Sequence, residues 1–192
     1  AFFDPLTRLP NRRLLRDRIE RVIAAARRHG RHGALMFLDL DNFKPLNDSH
    51  GHEVGDLLLV DAAQRLQGSL RATDTVARFG GDEFVELLGE LDGEATRARD
   101  QAEGIAREIL AALAEPYRLT RPDGMGTVEH RCTASIGLTL LDGLGNEEDV
   151  LRRADTAMYR ANEGGRNRIS VDAGQADEAS SLTPQRREGG LA

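Results

Sequence analysis

The sequence predicts an α+β fold, a sheet with helices packed on its faces rather than a doubly wound parallel sheet. Three features predict it: apolar residues recur at helical spacing in separate stretches, the strand-like runs between them are short, and two of those runs flank the glycine pair Gly80 and Gly81. Strands joined by two glycines make a hairpin, which is antiparallel. The expected order is α β α β β α β α β.

From Asn11 onward, Leu15, Ile19, Val22, Ile23 and Ala26 give a first amphipathic helix, closed by the glycines of RHGRHG. Residues 34–40, ALMFLDL, form a continuous apolar run expected to be a strand buried on both faces. A polar loop is expected next. Leu59, Ala62, Ala63, Leu66 and Leu70 mark a second helix, and TVARF and FVELL flank the glycines as the hairpin. Ala98, Ile105, Ala106, Ile109 and Leu113 give a third helix stopped near Pro116, RPDGMG is a turn or loop, and residues 130–141 read as one strand. Val150, Leu151, Ala154, Ala157, Met158 and Ala161 form the last helix, ended by Gly164 and Gly165 before a short strand at NRISV. Beyond Asp172 the composition turns to Gly, Ser, Gln and charge, so residues 1–172 are expected to form the domain and 173–192 a disordered tail.

The chain has 192 residues, 40% hydrophobic and 30% charged, the balance of one soluble globular domain. Its net charge of -6 argues against a general nucleic-acid binder, and no apolar run approaches the roughly 20 residues that span a bilayer. Direct membrane contact is not expected. The single cysteine, Cys132, leaves no internal disulfide and fits a reducing compartment. The chain opens on Ala1 without an initiator Met, and is expected to be a piece of something longer.

Two places concentrate chemistry. Asp39 and Asp41 lie at the end of the buried strand, where they either hold a hard cation such as Mg²⁺ together with phosphate oxygens or are solvated strand-end acids. At the hairpin, Gly80 and Gly81 permit close approach to the main chain while Asp82 and Glu83 supply carboxylates at the same edge. If the hairpin and the buried strand are neighbours, these acids converge, and only a cation or a shared proton makes that favourable. Lys44, Arg78 and Arg166 are candidates to neutralise phosphate. Phe79 and Phe84 are expected in the core. His50 and His52 have no cysteine beside them and make a weak zinc pair.

RFGGDEF, residues 78–84, resembles the signature of the GGDEF family, the diguanylate cyclases. DPLTRLPNRR (4–13), FKPLNDSHGHEVGD (43–56), ASIG (134–137) and ADTAMYRANEGGRN (154–167) resemble the family's other blocks, in the family's order. The resemblance implies a nucleotidyl-cyclase or polymerase-palm-like mixed sheet flanked by helices, with an active-site hairpin, that condenses two GTP into cyclic di-GMP. It implies that Asp39, the Leu40 carbonyl and Asp82, with Glu83 beside them, hold Mg²⁺ or Mn²⁺. Asp82 or Glu83 would deprotonate the ribose 3′-hydroxyl and Lys44 would steady phosphate charge. Asn47, His52 and Asp56 fall where the family contacts the nucleoside, Gly80 and Gly81 where backbone meets substrate, and Arg166 near the phosphates.

A carboxylate at Asp56 suits guanine, whose N1–H and N2–H₂ edge offers two donors that adenine lacks. Arg71 and Asp74, in RATD, match the family's R-x-x-D product-inhibition site; by themselves they read as an ordinary i,i+3 ion pair. One departure stands out: Asn162 occupies a position where the family usually has Lys. The resemblance further implies a homodimer, because one domain holds half of the reaction, and a cytoplasmic setting, because GTP is intracellular. The rival expectation is a catalytically weak or inactive module that binds GTP or cyclic di-GMP within a larger signalling protein. A palm acting on nucleic acid is disfavoured by the acidic charge.

Overall fold

The computed structural model describes residues 1–172, so the expected tail at 173–192 lies outside the described residues. Twelve elements follow in order: α1 (Arg12–His29), β1 (His32–Leu40), α2 (Phe43–His50), α3 (His52–Gly68), β2 (Thr75–Gly80), β3 (Glu83–Leu91), α4 (Ala95–Ala114), β4 (Tyr117–Thr120), β5 (Thr127–His130), β6 (Ala134–Leu141), α5 (Glu147–Glu163) and β7 (Arg168–Val171).

The main sheet has the order β2-β3-β1-β6-β7, antiparallel except for the parallel β6–β7 pair. This is the expected α+β architecture. β1 sits at its centre, and its alternation assigns the two faces. Ala34, Met36, Leu38 and Leu40 join a core with residues of α3 and α4, while Leu35 and Phe37 join one with α1 and α5. A strand buried on both sides is why this segment reads as an unbroken apolar run.

The structure departs from the expected elements in three places. The polar segment after β1 is a helix, α2, whose eight residues bury only Leu46 and so carry no apolar stripe to announce it. Tyr117–Thr120 pairs with Thr127–His130 as a separate small hairpin across RPDGMG. The expected strand over 130–141 is therefore two, β5 ending at His130 and β6 starting at Ala134.

α1 is capped at its start by Asn11, whose side chain accepts from the Leu14 amide, and at its end by Gly30 in the left-handed region. α5 lies directly on β6: a methyl at Gly137 would overlap the main chain at Ala154 and Met158. That close approach carries the end of α5, with Asn162, to the end of β1.

Candidate active site

The site forms where β1 ends beside the β2–β3 turn. Asp39 is the register partner of Glu83 on β3 and of Ser135 on β6, so the sheet itself places a β1 carboxylate against the hairpin. The Leu40 amide donates to the Asp82 carbonyl at 3.4 Å, which ties the turn to the strand end. The Asp39 and Asp82 carboxyls are close enough to act on each other's ionisation. Burial first, and then the Asp82 carboxyl, push Asp39 up to about 7. Glu83 is also raised, by burial first and then by the charges of Asp155 and Asp82, with Arg12 pulling the other way.

Asp41 proves different from its neighbour. Its carboxylate accepts from the Thr133 hydroxyl at 2.6 Å, the Ser135 hydroxyl at 2.7 Å and the Asn167 amide at 3.0 Å. Buried and spent on three protein donors, it is a brace that joins β1, β6 and the α5–β7 loop rather than half of a metal pair. The brace fixes Arg166 and Asn167, both at positive φ, at the mouth of the site.

A cleft of about 380 Å³ opens here, lined among others by Asp39, Leu40, Lys44, Asp82, Asn162 and Arg166. Asn162 points its amide nitrogen at Asp39 Oδ2, 3.5 Å away, and Arg166 donates to Asn42 Oδ1 at 2.9 Å. Asn42 turns the chain into α2 with φ near +59° and leaves the helix's first amides without a side-chain cap. Those amides, Lys44 and Arg166 surround the cleft with positive potential opposite its acids.

The remaining residues expected at the site are not all in this cleft. Asn47, His52 and Asp56 lie at the α2–α3 corner, with His52 and Asp56 one turn apart on α3. Asn47 Oδ1 is buried without a hydrogen-bond partner, an acceptor left open. A methyl at Gly55 would overlap that oxygen, so Gly55 is what allows Asn47 to turn inward. The sequence signal for it is a Gly inside a helix, costly by propensity and so expected only where a side chain does not fit. Gly80 and Gly81 line a different cavity, behind the hairpin.

Arg71 and Asp74 stand at the opposite end of β2, roughly 20 Å from the turn at about 3.3 Å per residue. Arg71 grips Asp74 with two bonds of 3.0 and 2.9 Å and also donates to the Gly89 carbonyl at 2.8 Å. The Asp74 side chain is 1% exposed, whereas that of Arg71 remains 45% exposed.

Two acids facing across neighbouring strand ends, ringed by helix amides and cations, suit a polyanionic substrate and a hard cation. The chain matches the family model described as diguanylate cyclase, GGDEF domain, over residues 1–168, and belongs to that family. It is 44% identical over 168 residues to MucR of Pseudomonas aeruginosa, a bifunctional diguanylate cyclase/cyclic di-GMP phosphodiesterase, covering 87% of this chain but only 23% of MucR. The GGDEF domain of TpbB from the same organism is similar in structure, with TM-score 0.78 and 37% identity over 88% of this chain and 99% of that one. The GGDEF domain of DgcB from Caulobacter crescentus, solved with c-di-GMP, gives TM-score 0.78 at 29% identity, over 91% of this chain and 97% of that one. The chain thus spans less than a quarter of MucR, and 35% of full-length TpbB.

Proposed function

We propose that the domain is a metal-dependent diguanylate cyclase, which as a homodimer condenses two GTP into cyclic di-GMP and two pyrophosphate and is restrained by its product. The carrying observation is the Asp39–Asp82 pair. A half-buried carboxyl whose ionisation is opposed by burial and by a neighbouring carboxyl is the donor set expected of a site meant for a cation.

Among the described residues no three His, Cys, Asp or Glu side chains gather into a closed cage. That fits Mg²⁺ or Mn²⁺, which take carboxylates, main-chain oxygen and substrate phosphates together. Asp39, Asp82 and the Leu40 carbonyl, with Glu83 beside them, would hold it. When bound, such an ion withdraws charge from phosphate oxygens.

The α2 amides, Lys44 and Arg166 hold the triphosphate. Asn47 Oδ1 accepts from guanine and Asp56 takes its N1–H and N2–H₂ edge, which excludes adenine; His52 borders the base. Asp82 or Glu83 accepts the 3′-hydroxyl proton. The 3′-oxygen then bonds to the α-phosphorus of the GTP in the partner subunit, while the bond from that phosphorus to the bridging oxygen breaks and pyrophosphate leaves. The same step in the opposite direction closes the ring. Gly80 and Gly81 keep the turn low enough for two nucleotides to meet across it.

The test is incubation of concentrated protein with GTP and Mg²⁺, followed by chromatography, with cyclic di-GMP expected. GTP binding without product would favour a regulatory binding module instead. GTP being intracellular, the site is expected to face the cytoplasm. Among the described residues no helix is long and apolar enough to cross a membrane.

Asn162 supports a cyclase of reduced substrate affinity, since a neutral amide faces Asp39 where a cation would also meet phosphate. Asn162→Lys is expected to tighten GTP several-fold, measured as the Kd of a non-hydrolysable analogue and as KM. Unchanged values would remove the phosphate role from this position.

Arg71 and Asp74 are proposed to grip cyclic di-GMP. The half-exposed Arg71 is free on its outer side, while the buried Asp74 fixes its inner one. Arg71→Ala is expected to weaken product binding by about tenfold or more, the worth of a charge-assisted pair of hydrogen bonds. Calorimetry with cyclic di-GMP checks it, and inhibition by product should fall in parallel.

A further inference from the structure

The β2–β3 turn is not a regular hairpin. Arg78 pairs with Phe84 and Gly80 with Glu83, so Phe79 is an extra residue with no partner across the ladder. A bulge leaves its main-chain groups unpaired and bends the strand at that point. Here the bend lies immediately before the turn that carries Asp82.

The missing partner comes from another element. Arg12, the first residue of α1, donates its Nε to the Phe79 carbonyl at 2.6 Å and lays its guanidinium 4.0 Å from the centre of the Phe79 ring. The inner side of that ring packs edge-on against Phe37 of β1, with centroids 4.9 Å apart. Phe79 is thus held between a core aromatic and a planar cation. Arg12 Nη2 also lies 3.4 Å from where a side chain at Gly80 would begin, which ties the glycine to the arginine as well as to substrate access.

A second arginine completes the support. Arg78 donates to the Gly81 carbonyl at 3.0 Å and is itself held by Asp4, and its amide donates to the Pro10 carbonyl. The N-terminal block therefore holds the turn on the side away from the nucleotide cleft: Arg12 donates to it directly, while Asp4 and Pro10 accept from Arg78.

We propose that Arg12 is a positioning residue for the reaction: by capping the bulged Phe79 carbonyl and covering its ring, it sets the angle at which the turn presents Asp82 and Glu83. This inference rests on the cyclase reading for its kinetic arm only. Arg12 does not line the cleft and contacts neither Lys44, Asp56 nor Arg166, its charge reaching only Glu83 of the turn, so substrate binding should survive its loss while turnover falls.

The experiment compares Arg12→Gln and Arg12→Lys with the parent protein in two readouts. In steady-state kinetics on concentrated protein, Arg12→Gln is expected to lose about tenfold or more in kcat with KM for GTP within about twofold, the loss of one charged hydrogen bond at a bulged turn. In hydrogen exchange without nucleotide, peptides covering residues 78–84 should exchange faster in Arg12→Gln, while peptides from α4 stay unchanged. Arg12→Lys, which keeps a cation and a donor, should recover most of both effects. The proposal is overturned if the turn exchanges as in the parent, if kcat is unchanged in an active parent, or if the loss comes with a general drop in Tm that Arg12→Lys does not repair. If the parent protein makes no cyclic di-GMP, the cyclase reading fails while the exchange readout still decides whether Arg12 holds the turn.

Discussion

Asp82→Ala is expected to abolish cyclic di-GMP formation, lowering turnover by roughly a thousandfold or more, the scale on which a group that stabilises transition-state charge acts. Asp82 is the first residue after the glycine pair, in the two-residue turn, and its carbonyl accepts from Leu40 through the main chain. Alanine keeps that bond. What it removes is the carboxyl that meets Asp39, and with it the hydrogen bond and like charge that add to burial in raising Asp39 to about 7. The variant should therefore fold at least as well as the parent, and Asp39 should titrate closer to an ordinary carboxylate. Chromatography of the reaction, a thermal melt and a carboxyl titration by NMR check the three parts. Retained turnover would dissolve the metal-site assignment; lost turnover with a collapsed Tm would mean that Asp82 serves the fold instead.

The second large effect lies away from the site. Glu86 →Met is expected to stabilise the protein by about 2 kcal/mol or more at neutral pH, the usual gain from removing a buried, unpartnered ionisable group. Glu86 is 0% exposed, and neither carboxyl oxygen has a hydrogen-bond partner. It lies on β3 between Met36 of β1 and Val76 of β2, on the face shared with Phe84 and Leu88. Burial, and then the charge of Asp74, raise its pKa well above 4.5.

The sign follows from proton counting. Below the unfolded pKa both states carry the proton and Glu86 costs no charge. Above it the unfolded chain releases the proton while the folded one keeps it, so stability falls by about 1.4 kcal/mol per pH unit until the folded group ionises. Glu86→Met should remove this slope, with little gain near pH 4.5 and a growing one toward pH 8. Melts at three pH values check it: a gain independent of pH would point to packing alone, and a loss at every pH would mean the carboxyl has a partner in solution.

These two acids mark the boundary between what could be read and what could not. At Asp82, the glycine pair, the adjacent carboxylates and the blocks in family order pointed to the site before any strand was paired. At Glu86, the letters FVELL show an acid in an apolar run, indistinguishable from the solvent-facing member of an edge strand. It is buried because β3 is an inner strand, between β2 and β1, with α4 over that face. Strand order is a long-range property, and no local pattern carries it.

The same distinction separates Asp39 from Asp41. Two residues apart at the end of one strand, they were equivalent as a D-x-D pair. Three donors, from Thr133 just before β6, Ser135 of β6 and the α5–β7 loop, take Asp41 into the fold and leave Asp39 facing Asp82. The helix α2 escaped the sequence reading because a short helix that buries one leucine has no periodic stripe to detect.

Sequence by itself determined the helices with a full apolar face, the two-sided central strand, the hairpin and the family, because periodicity and turn chemistry act between near neighbours. Only the tertiary structure decided that Asp41 is taken up by protein donors while Asp39 faces Asp82, that Gly55 leaves room for Asn47, and that Arg12 closes the bulge at Phe79. Each of these depends on atoms brought together from distant parts of the chain, where burial and a partner's charge, rather than residue type, set what a side chain can do.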